Sequence, residues 1–209
     1  KSIENGGMAR NVYRNIRTLG VDANLFTNEN WKDVTKTRFI DFNTNHMFMR
    51  LDINDKKYGR ANLKKLRYKN YDAIIISDYN KGFLCEEDIL HISKKHDCVF
   101  LDTKKVLGSW CSHINYIKIN NFEYNKTKHT LSHEIEDKLI ITMGPEGAKH
   151  QNIIYPVPEV EIKDPSGAGD TFISGLAVKY LETKDISKSI NFANECATRV
   201  VQKRGVNTI

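Results

Sequence analysis

The chain has 209 residues, 40% hydrophobic and 28% charged; that is enough for one sizeable core, and no Pro/Ser-rich linker or low-complexity block divides it, so it reads as a single domain over 1–209. Its formal charge of +6 suits anionic small ligands and would also suit nucleic acid, but the lysines are scattered among asparagines and isoleucines rather than gathered in a stripe and no nucleic-acid recognition motif appears, so no nucleic-acid partner is expected. Cys85, Cys98, Cys111 and Cys196 lack C-x-x-C spacing and read as reduced thiols; with no signal peptide and no apolar run of transmembrane length, the expectation is a soluble cytoplasmic protein without a membrane partner.

The chain opens on a glycine-containing loop, Glu4-Asn5-Gly6-Gly7, with no strand before it. A helix is predicted from Met8 to Leu19, because Met8, Val12, Ile16 and Leu19 share one face and Gly20 stops it. Val21 to Thr27 alternates and is expected to be a strand. Thr35 to Asp41 and His46 to Ile53 also alternate and are joined by Asn43-Thr44-Asn45, the pattern of a β-hairpin. From Tyr71 onward short apolar strands alternate with helices, the pattern of a parallel α/β sheet. The strands are Ala73 to Ser77, Cys98 to Leu101, Tyr116 to Ile119, Leu139 to Thr142 and Ile153 to Val157. The helices are Glu86 to Lys95, with Ile89, Leu90 and Ile92 inward, and Ser187 to Lys203, which stops at Gly205. Asp78 and Asp102 stand at carboxyl ends of strands, where open α/β sheets bind ligands; solvated loops would read the same way.

The most informative stretch is Asp164-Pro165-Ser166-Gly167-Ala168-Gly169-Asp170 and the apolar helix that follows it. The unpaired amides of Gly167, Ala168 and Gly169, with the positive end of the helix dipole, make an anion site. A carboxylate does not belong beside an anion unless it has its own task. Acceptance of a proton from an attacking hydroxyl supplies that task for Asp170, while the amides hold the migrating phosphoryl group. The plainer alternative is a strand-to-helix turn with Asp170 as a helix-start residue.

Asp-x-x-Gly-Ala-Gly-Asp before an apolar helix resembles the signature of the ribokinase/PfkB family of sugar kinases. That resemblance implies a ribokinase-like three-layer αβα sandwich, with a mainly parallel central sheet, a small β-lid at about 35–53 and a nucleotide-binding part at about 116–209. It implies Asp170 as catalytic base, with Gly167, Ala168 and Gly169 as the anion hole. Gly6, Gly7 and Asn11 match the sugar-binding turn. Asn120 and Glu123 match the Asn-x-x-Glu element that positions Mg2+ through water, although the same letters make a helix cap. Thr142, Gly144 and Gly147 resemble the ATP loop, a Pro-x-Gly turn being the alternative, and Asp164, Asn194 and Val201 join them on the nucleotide side.

Three further stretches are similar to the heptose 7-phosphate kinases of ADP-heptose synthesis: Ser77 to Gly82, Met49 to Asp52, and Ala193 to Gly205. For the phosphate already on such a sugar the candidates are Lys81 and Lys104; Arg38 and Arg50 on the lid could reach a substrate phosphate, a solvated arginine being the plainer reading of each. The resemblance also implies ATP as donor, a homodimer through the lid, and leaves a monovalent cation open. Pro165, Met8 and Arg10 depart from the family pattern, and the family's first strand has no counterpart. Another sugar or nucleoside kinase of the family, or a nucleotide-binding fragment, therefore stays open.

Overall fold

A computed structural model describes residues 7–29, 31–41, 44, 46–55 and 59–209. Helix α1 (Gly7–Thr18) leads through an irregular segment to the antiparallel pair β1 (Thr35–Ile40) and β2 (Met47–Ile53). The rest is a sheet of six strands: β3 (Ile74–Asp78), β4 (Val99–Thr103), β5 (Tyr116–Asn120), β6 (Leu139–Thr142), β7 (Ala148–His150) and β8 (Ile153–Tyr155), ordered as numbered. The first four are parallel and the last two antiparallel. This is the mainly parallel sheet of a three-layer sandwich.

The pleat sorts the layers. Val99, Leu101, Ile117, Ile119 and Ile141 pack on one face, under α2 (Glu86–Lys95), α3 (Asn121–Thr127) and α4 (His133–Glu136), with Ile89, Tyr124 and Ile135. Phe100, Tyr116 and Ile140 point the other way, into α5 (Ala168–Thr183), α6 (Ile186–Val201) and α1. Because α5 lies between the sheet, α1 and α6, Thr171 through Val178 are all buried. A helix apolar all round is expected only in such a central position.

Two readings need correction. Val21 to Thr27 forms no strand: it follows α1 with alternating burial, and no described strand pairs with it to supply a ladder. β7 was not anticipated, since Ala148–His150 is three residues long and mostly polar. The predicted strand Ile153 to Val157 ends at Tyr155, just before Pro156, which cannot donate to a ladder. Asn43 and Asn45 of the hairpin turn, and Gly6 of the sugar-binding turn, lie outside the described residues. All four cysteines are free thiols, Cys111 and Cys196 buried and the other two half-buried.

Candidate active site

Parallel register brings the polar strand ends into a row. Asp78 pairs with Thr103, Asp102 with Lys118, and Asn120 with Thr142 across successive strands. The N-terminus of α5 sits over this row. Gly167 caps the helix in the left-handed region at φ 87°, a conformation that favours glycine, and a Cβ there would also stand 2.8 Å from Asn11 Nδ2. The Ala168 amide donates to Pro165 O at 3.2 Å, whereas those of Gly167 and Gly169 have no acceptor among the described residues. The turn therefore leaves part of its amide nest open.

Asp170, in the first turn of α5, accepts a 2.9 Å hydrogen bond from Asn11 Nδ2. Asn11 was expected at the sugar; the structure seats it, 3% exposed, against the carboxylate. Burial pushes Asp170 up to about 7; the Asn11 bond opposes this, Asp102 adds to it, and Lys118 and Lys104 oppose it. A base poised there can take a proton at physiological pH. Asp170 and Gly167 line a cleft of about 1980 Å³, which also meets Gly7, Asn11, Arg38 and Lys81.

The nucleotide-side residues have mixed surroundings. Thr142 Oγ1 donates to Ile119 O at 3.3 Å, and Gly144, at φ 63°, has open space beside it. Gly147 makes the β6–β7 turn, where a Cβ would fall 2.1 Å from Tyr155 O, so close packing by itself requires glycine. Asn194 is buried and donates to Tyr155 O at 2.8 Å. Val201 O accepts from the amides of Lys163 and Asp164, and Asp164 accepts from Ser166 N and Gly205 N, clamping the approach to α5 onto the end of α6.

Asn120 and Glu123 cap α3 reciprocally: each side chain accepts from the other's amide at 2.9 Å. The remaining Glu123 oxygen pairs with Lys104. One buried carboxylate and one amide oxygen fit a hydrated Mg2+ that arrives with nucleotide phosphates, since such an ion keeps most of its waters. They are too few for a resident ion, and no group of three or more His, Cys, Asp or Glu residues that could hold a metal occurs among the described residues.

Of the candidate phosphate ligands, Lys81 pairs with Asp55 at 3.1 Å and Arg50 with Asp52 at 2.6 Å, while Arg38 has no carboxylate partner among the described residues. Sequence reasoning missed Lys118, which is 4% exposed and bonded to Asp102 at 2.9 Å. It also missed Asn15, buried on α1, whose Oδ1 accepts from Thr171 Oγ1 at 3.4 Å. A lysine inside an otherwise apolar strand was the available signal for Lys118.

Residues 27–209 match the pfkB family carbohydrate kinase. The chain is 30% identical over 200 residues to the bifunctional protein HldE of Helicobacter acinonychis (strain Sheeba), covering 81% of this chain and 43% of that protein. It thus spans about half the length of the curated relatives it matches. Among solved structures it is similar to a putative sugar kinase from Clostridium perfringens, with TM-score 0.67, 17% identity, and 96% of this chain and 79% of that one covered. It is likewise similar to ribokinase from Thermotoga maritima, with TM-score 0.61, 16% identity, and coverage of 82% and 64%. At such identities these two structures speak to the fold.

Proposed function

The chain belongs to the pfkB family of carbohydrate kinases, and on that footing we propose that it transfers the γ-phosphoryl group of ATP to a hydroxyl of a phosphorylated sugar, most concretely the C1 hydroxyl of a heptose 7-phosphate. The observation that carries this reading is Asp170 at the head of α5, beside the open amides of Gly167 and Gly169 and facing the cleft. In the proposed step Asp170 takes the proton of the sugar hydroxyl, and Asn11 holds its carboxylate in line. The amides of Gly167 to Gly169 then receive the charge that spreads over the moving phosphoryl group. Mg2+, carried by ATP near Asn120 and Glu123, would neutralise phosphate charge.

The choice of a sugar phosphate rests on cations around the cleft. Arg38 lies on its wall without a carboxylate partner among the described residues, while Lys81 and Lys104 would exchange Asp55 and Glu123 for the substrate phosphate. The likeness of Ser77 to Gly82 to the heptose 7-phosphate kinases supports that sugar over others. On the ATP side we assign Thr142, Gly144 and the α6 end at Val201, with Asp164, Gly147 and Asn194 supporting the loops. The lid hairpin is proposed as the contact with a second copy.

The test is ADP release measured against a panel of sugars and sugar phosphates. Asp170→Asn keeps the shape and removes the basicity, so turnover should fall by roughly 100-fold or more with ATP binding retained. Undiminished turnover in that variant would remove Asp170 from the chemistry. Equal rates on heptose and heptose 7-phosphate would remove the phosphate contact.

A further inference from the structure

Beneath the signature lies a buried ion pair for which the mechanism so far has no use. Phe100 and Asp102 of β4, and Tyr116 and Lys118 of β5, point to the α5 side of the sheet, and register sets Asp102 opposite Lys118. Asp102 is 1% exposed and Lys118 4%; Nζ meets Oδ2 at 2.9 Å, and Oδ1 has no partner among the described residues. Lys118 is thus the one donor to this carboxylate's oxygens among the described residues. A Cβ built on Gly169 would stand 2.6 Å from Lys118 Nζ and 3.9 Å from Asp102 Oδ2, so the ammonium fills the space where a side chain at 169 would be.

We propose that Lys118, seated by Asp102 under Gly169, is a positioning residue of the phosphoryl-transfer site: it supports the amide turn from below and cancels, at Asp170, the negative charge of Asp102. The inference rests on the reading of Asp170 as the base. The groups around that carboxylate are Asn11 from α1, Asp102 and Lys104 from β4 and the residue after it, Lys118 from β5, and Tyr79 after β3. Asp102 is the negative neighbour that raises its proton affinity, and Lys118 is the stronger in effect of two lysines that lower it. Like charges disfavour each other, so without the neighbouring cation Asp170 would hold its proton more tightly and less of the base would be free at neutral pH.

The test is the pH dependence of kcat for the full chain and three variants, alongside thermal melts. The unmodified chain should lose activity below pH about 7, where Asp170 is protonated. Lys118→Met leaves Asp102 uncompensated and should move that limb up by about one pH unit. Asp102→Asn removes the repelling charge and should move it down. The double variant should return it to within about half a unit of the starting position, with KM for ATP changed by less than about threefold. A pair that is only structural would lower melting temperatures and leave the limb in place in every variant, and that result overturns the inference. Should Lys118→Met fail to fold, the downward shift in Asp102→Asn and its reversal in the double variant carry the same decision. If instead the unmodified chain shows no limb, or Asp170→Asn retains turnover, it is the assignment of the base that fails.

Discussion

Gly169 joins the amide turn above it to the ion pair below, and its substitution separates two opposing effects. Alanine in a helix gains up to about 1 kcal/mol over glycine, which favours Gly169→Ala. The added Cβ, however, would need the place of Lys118 Nζ, which Asp102 holds from the other side. Overpacking of a filled site costs about 1–3 kcal/mol, so the clash should win by about 1–2 kcal/mol and lower the melting temperature by about 2–8 °C in a chain of this size. Turnover should fall more than ATP affinity. A raised melting temperature would show that Lys118 moves aside freely. At this scale the signature Asp164 to Asp170 was legible because its residue types and spacing are unusual. Lys118 was not, because its meaning depends on β4 being the neighbour of β5 and on a register that sets it against Asp102.

At the scale of elements, start signals proved more informative than alternation. Helix α2 begins where Asp88 accepts from Cys85 N at 3.0 Å and from Arg60 Nε and Nη2 at 2.8 and 2.9 Å. Burial raises the proton affinity of this carboxylate, but Arg60 and the Cys85 amide outweigh it and hold Asp88 down at about 2. The folded value lies below the unfolded one, so the stabilisation is present above pH about 4 and is lost as pH falls toward 2. Asp88→Ala should therefore cost about 1–2 kcal/mol at pH 7, typical of a lost cap, with the deficit in urea unfolding shrinking on acidification. A deficit independent of pH would assign the loss to packing. The same cap chemistry explains Asn120 and Glu123: their letters announced a helix start, and the structure makes one at the end of β5. Val21 to Thr27 shows the opposite case. Alternation describes a segment with one wet and one dry side, but a strand also needs a neighbour's amides and carbonyls, and sequence pattern does not say whether one is there.

The whole molecule is a sandwich with a two-stranded arm, and the two faces of that arm have different chemistry. Register places Lys36 and Arg38 opposite Asp52 and Arg50 on one face, and Phe39, Met49, Leu51 and Ile53 on the other with Thr35 and Thr37. Lys36 and Arg38 of the charged face line the cleft, Lys36 meets Asp52 at 3.1 Å and Asp55 at 2.8 Å, and Lys81 of the body meets Asp55 in turn. Among the described residues the apolar face is left exposed: Phe39, Met49, Leu51 and Ile53 are each 45–51% exposed. Two strands alone are marginal in water, and a contiguous apolar patch of this kind marks an interface. A second copy is the partner we propose for it, since two identical hairpins would bury the same four side chains against each other in an isologous contact. Light scattering should then give a dimer mass for the full chain and a monomer mass for Leu51→Asp, a charge no such contact can desolvate unpaired. The melting temperature of the body should change little, because β1 and β2 form a sheet of their own. KM for the sugar should rise in the monomer, as an arm without its partner holds Arg38 less firmly over the cleft. A monomeric parent chain would defeat the proposal, and a dimer that survives Leu51→Asp would move the interface away from the arm.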